Sequence, residues 1–315
     1  MTERLRAPLA AAIALLIGGD LAVRGAGGLL DPWRFLFPYL WLFLAFEVAR
    51  RRRRLLDTEA FLIGAAVGLA HDGIFVKQLQ DGVRLLGVDW LASVTAAFDW
   101  GMIAVLSLHA ADALLPRRDD GPPAPDGPER LLLAAIAAAA LAVYAFDGWV
   151  GTLRYQRMLS GVWPLSDALF AVAAWALARR AFARADAGEP PDRDAWLWWL
   201  CGFCAWLPPA QLLARLAGDW PGPRSWVLLG AWTAVFGFLA RLLWRERAFV
   251  DPEPRRASRP LLAAAVWRLL GAVALLLVFG PFSLDARTGL AFTLLVGLPT
   301  RLAFCAVFFS SRLKV

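Results

Sequence analysis

The sequence predicts an all-α fold of the membrane-embedded kind: a polytopic integral membrane helical bundle with about ten transmembrane helices and both termini cytoplasmic. Three observations predict it. Apolar stretches of spanning length recur from Leu9 almost to Val315, and crossing a hydrocarbon core ~30 Å thick takes ~20 mostly apolar residues in a helix. Of the 315 residues, 59% are hydrophobic and 19% charged, against ~45–50% and ~25% in an ordinary soluble domain. Mean hydropathy is +0.55. Finally, arginine gathers at alternate joints between the apolar stretches.

The expected spans are 8–24, 33–49, 59–79, 88–114, 130–150, 161–182, 195–217, 225–244, 260–280 and 288–309. The first follows a charged start, as in a signal peptide. Asp20 and Arg24 stand where a small-residue cleavage site would be needed, so it reads as a retained first helix. The second span ends on the run Arg50 to Arg54, the fourth is followed by Arg117 and Arg118, and the sixth by Arg179, Arg180 and Arg184. Six further arginines surround the eighth-to-ninth joint, while Arg4 and Arg6 precede the first span and Arg312 and Lys314 follow the last. The opposite joints, DWPGPR (219–224) and PFSLDAR (281–287), are short and carry few cations. Positive loops stay in the cytoplasm, which places both termini on the inner side of the cytoplasmic (inner) membrane.

The chain reads as one transmembrane domain, 1–315, with possible sub-units 1–115 and 130–315 joined by a flexible linker, 116–129. That linker and the joint at 183–195 are rich in Pro, Gly and Asp, a composition that cannot bury enough apolar surface to fold. A faint echo links HDGIFVKQLQDGVRLLGVDWL from His71 with FDGWVGTLRYQRMLSGVWPL from Phe146. A duplicated helical hairpin and chance similarity explain it equally well.

Net charge is +7, with 33 basic residues of which only Lys77 and Lys314 are lysine. Nucleic acid is excluded as a partner, because the arginines sit at helix ends and follow the orientation rule. Sixteen Trp and 20 Phe against three Tyr point instead to membrane lipids, since indole rings favour the membrane–water boundary. Protein partners within the membrane are the other expected class.

Charge deep in a span is the informative exception. At 1.5 Å of rise per residue, Asp20 lies roughly 18 Å along its span, Asp72 roughly 19 Å and Asp99 roughly 17 Å, all near the midplane. Arg268 lies roughly 12 Å and Arg301 roughly 20 Å inside the last two spans. An ionised group there costs ~2.5–3.5 kcal/mol even on lenient insertion scales, and it persists where a counter-charge, a proton or a cavity stabilises it. Asp20, Asp72, Asp99, Arg268, Arg301, Lys77 and His71 are therefore the candidate substrate- or ion-binding residues. Asp72 and Asp99 suit a proton or cation, Arg268 and Arg301 an anionic group. The competing reading makes the same charges interhelical ion pairs that fix packing.

Other chemistry is poorly represented. His71 and His109 are the only histidines, too few for a His-rich metal or haem site, although His109 and Asp112 are spaced to meet on one helix face. Cys201 and Cys204 form C-G-F-C, a redox spacing that small-residue packing explains as well. No G-x-S-x-G, H-E-x-x-H or phosphate-loop motif is present, and neither cofactor nor metal is expected. Prolines interrupt the second, seventh and tenth spans at Pro38, Pro208–Pro209 and Pro299, where a missing N–H frees a carbonyl one turn earlier. These features favour a multi-pass transporter or permease for a small solute or lipid-linked intermediate. A non-catalytic membrane subunit or scaffold of a larger complex is the alternative. An intramembrane enzyme using His71 or Asp72 as acid–base is the third reading.

Overall fold

A computed structural model describes residues 56–75, 78–80, 85–114, 163–187, 202–207, 209–210, 213, 217–218, 222–245, 259–279 and 291–310. Among them the fold is all-α, with no β-strand. The spans expected at 8–24, 33–49 and 130–150 lie outside the described residues, as does the linker at 116–129. By length and composition one described helix, Trp90–Ala110, can cross a membrane. Pro260–Gly271 and Thr293–Ala306 are shorter apolar helices. The helices fall into two compact units.

The first unit contains α1 (Asp57–Gly68), α2 (Trp90–Leu114) and α3 (Trp163–Ala187). Asp57 and Glu59 occupy the first turn of α1, where carboxylates complement the exposed N–H groups and the helix dipole. Glu59 Oε2 accepts a hydrogen bond from the Leu56 N–H at 2.9 Å, the glutamate half of a capping box. Past Gly68 the helix widens into a π-helix, Leu69–Phe75. A two-residue turn then reverses the chain, with Leu86 and Gly87 at φ 59° and 75° between reciprocal Leu85–Val88 backbone bonds of 3.3 and 3.2 Å. Positive φ at both central positions matches the right-handed twist of a tight hairpin. Asp89 caps α2 by accepting the Ala92 N–H at 2.9 Å.

Helix α1 packs on α2 and α3, and glycine sets how closely. Gly64 and Gly68, four residues apart, face α2. A Cβ on Gly64 would stand 2.6 Å from Ala104 Cβ and 2.7 Å from the Trp100 carbonyl oxygen, and Gly68 lies against the Trp100 ring. Gly101 reciprocates beneath the Phe61 ring. Small residues at this spacing let backbones approach closely enough for dispersion contacts to hold helices together. Phe61 and Phe98, ring centroids 5.8 Å apart and edge to face, complete the layer.

The second unit comprises α4 (Pro223–Arg245), α5 (Arg259–Phe279), a π-helical entry (Thr293–Gly297) and α6 (Leu298–Ser310), together with the helical residues 202–207. Its core is built on Ala205, Ala210, Trp232, Leu298 and Leu302. Gly271 admits Val296, whose Cγ2 would lie 2.6 Å from an added Cβ.

Outward faces are apolar in both units. Trp226, Val227 and Phe238 on α4, Leu270 and Val278 on α5, and Leu165, Val172 and Trp175 on α3 are all exposed. One expectation needs correction. The joint at 183–195 is not linker from its start, because α3 continues to Ala187. Ala-Arg-Ala-Asp-Ala is good helix-forming sequence, and Arg184, expected in a solvated loop, is buried at 5% exposure.

Candidate functional site

The polar centre of the first unit forms where the α-helical ladder of α1 gives way to the π-helix. A π-turn carries one more residue per turn than an α-helix, which rotates the side chains beyond it, and such turns recur at functional sites. Here it carries His71, Asp72 and Gly73. His71 Nδ1 and Asp72 Oδ1 are 2.7 Å apart. The second carboxylate oxygen, Oδ2, accepts a hydrogen bond from Trp100 Nε1 at 2.9 Å. The His71 and Trp100 rings lie 4.9 Å apart at 51°. Both residues of the pair are buried, His71 at 9% and Asp72 at 5% exposure. An indole N–H and an imidazole nitrogen thus meet the two oxygens of one buried carboxyl group.

A second set of bonds adjoins the first. Gly73 is seated under the Phe170 ring of α3, and its carbonyl accepts Gln80 Nε2 at 3.1 Å. The same nitrogen donates to Asp167 Oδ1 at 2.9 Å. Gln80 is 2% exposed and its Oε1 has no hydrogen-bond partner. Asp167 is partly buried and tied to the π-helix through this amide.

Farther along, the N-terminal turn of α1 meets the C-terminal turns of α2 and α3. Glu59 Oε1 lies 3.4 Å from Arg184 Nε, with both side chains buried. Asp57 accepts His109 Nε2 at 3.0 Å. His109 thus reaches another helix, whereas the sequence pairs it with Asp112 on its own, whose side chain lies outside the described residues.

In the second unit both buried candidates are arginines. Arg268 is 5% exposed, its guanidinium carbon 5.9 Å from the Phe292 ring centroid. Arg301 Nη1 donates to the Cys204 carbonyl at 3.2 Å. The Leu295 carbonyl, four residues before Pro299, accepts Trp267 Nε1 at 3.1 Å.

No protein family, curated protein or solved structure matches this chain.

Of the residues singled out by sequence, His71 and Asp72 come together, and Asp99 is half-buried on α2 next to Trp100. The described partners of Asp72 are an imidazole and an indole. Asp20 and Lys77 lie outside the described residues, as does Cys201. Cys204 and Cys305 are free thiols. Among the described residues no cluster of three His, Cys, Asp or Glu side chains is placed to hold a metal. Sequence reading missed Glu59, Trp100 and Gln80. Glu59 carried a usable signal, an acid at the third position of a helix. Trp100 and Gln80 carried none, since an indole and an amide are unremarkable until their partners are known.

Proposed function

We propose that the chain is a multi-pass protein of the cytoplasmic membrane, about ten spans with both termini inside, that moves a small solute or lipid-linked intermediate. His71 and Asp72 form its proton- or cation-binding centre. The observation that carries this reading is the buried His71–Asp72–Trp100 cluster on a π-helix. Ionisable groups at such depth are expensive, and they recur along proton and ion pathways. The apolar outward faces of α3, α4 and α5 fit helices that meet acyl chains, because exposed apolar area of this extent needs a non-aqueous partner. Arg268 and Arg301 would offer positive charge to an anionic group on the solute.

Electrogenic currents from proteoliposomes on a supported membrane, challenged with a panel of amino acids, sugars and carboxylates, test the reading. A solute-evoked current is expected, lost in Asp72→Asn and reduced in His71→Gln. No current with any solute, or a current indifferent to both substitutions, removes it.

The second reading, a non-catalytic membrane subunit, is favoured by one observation. Two of the buried cations, Arg184 and Arg301, are engaged by groups of their own unit. It predicts that the purified chain is unstable alone and recovers when co-expressed with the products of neighbouring genes.

A further inference from the structure

We infer that the C-terminal part of α3 binds the phosphate of an anionic phospholipid, with Arg179 and Trp175 as the recognising pair. The inference rests on the membrane reading above. Along its outward face α3 is apolar at Leu165, Val172 and Trp175, all exposed, and then turns abruptly cationic at Arg179 and Arg180, also exposed. Such a transition marks the level at which a helix leaves acyl chains for headgroups, and tryptophan favours that level. Trp175 and Arg179 are four residues apart, hence on one face. The guanidinium carbon lies 5.1 Å from the indole centroid, within cation–π range. That contact orders the arginine before any ligand arrives, which lowers the entropic cost of binding.

Shape agrees with charge. Trp175, Arg179, Phe182 and Asp186 surround a shallow groove in which Ala178 and Ala183 leave room between the larger side chains. A guanidinium presents paired donors that match phosphate oxygens. The arginine-rich end of this span is the cytoplasmic one by the orientation rule, and the cytoplasmic leaflet holds the anionic lipids. Apolar walls, a fixed guanidinium and an anionic leaflet together select a phospholipid.

The test uses the full chain in detergent with phosphatidylglycerol or phosphatidylcholine titrated in, and native mass spectrometry to count bound lipid. Phosphatidylglycerol should be retained in preference. Arg179→Gln should weaken it about fivefold, the scale expected for one basic residue near an anionic surface, and weaken phosphatidylcholine less, because its choline cation offsets the phosphate charge. Arg179→Lys keeps the charge and should lose less. Arg241→Gln, at an exposed arginine on α4, controls for general electrostatics. Equal retention of the two lipids by the unaltered chain overturns the site, as does an Arg241→Gln loss as large as that of Arg179→Gln. Failure here with a chain that still needs detergent leaves the membrane reading standing; a chain soluble without detergent removes both.

Discussion

Glu59 is 1% exposed, near the start of a helix and five residues beyond a run of five arginines, so a solvated ion pair with that run would have been the ordinary outcome. Instead it meets Arg184, 125 residues away. Removing a carboxylate and a guanidinium from water is costly, and their attraction repays it only when both are present. Glu59→Gln and Arg184→Gln should each destabilise the purified protein by about 3–5 kcal/mol, with the double variant costing clearly less than the sum. Thermal unfolding in a mild detergent measures it, and strictly additive losses would show that the two groups do not support one another. Asp72 poses the opposite case. Its described partners are a histidine ring and an indole donor, with no cation among them. That difference is why we propose Glu59 as a brace and Asp72 as a site.

At the level of elements, close packing and local helix geometry act together. Gly64 and Gly68 bring α1 against Trp100 and Ala104 of α2, and this approach lets the Trp100 indole reach Asp72. One turn later the π-helix rotates the chain, so residues beyond Gly68 present different faces from those an unbroken α-helix would show. Gly68→Ala places a methyl group inside the Trp100 ring contact and should cost about 1–3 kcal/mol, the usual range for overpacking a tight interface. Gly230→Ala on α4 meets nothing within 4 Å and should be neutral or stabilising by up to about 1 kcal/mol through helix propensity alone. Comparing the two melting temperatures separates interface from propensity, and equal shifts would contradict the close approach. Side chains also tie helices through backbone at this scale: Arg301 and Trp267 donate to the carbonyls of Cys204 and Leu295.

For the molecule as a whole, the proposed orientation rests on where the arginines lie. In a background without native cysteines, Ser283→Cys should react with a membrane-impermeant maleimide added to intact cells, while Ala124→Cys, in the arginine-flanked linker, should react only after the membrane is opened. The reverse pattern, or equal labelling of both, ends the proposed topology. Helix positions were readable in advance, because an apolar run of fixed length between charged joints is a local signal. The observed α2, α4 and α5 begin and end within two residues of the spans expected at 88–114, 225–244 and 260–280. Partnership was not readable. Trp100 with Asp72, Gln80 with Asp167 and Arg301 with Cys204 join residues 28, 87 and 97 apart. Each pairing depends on how a helix is rotated about its axis and how near its neighbour stands. Glycine contacts and a π-turn set those quantities only when the helices are packed together, and no single stretch of chain encodes them.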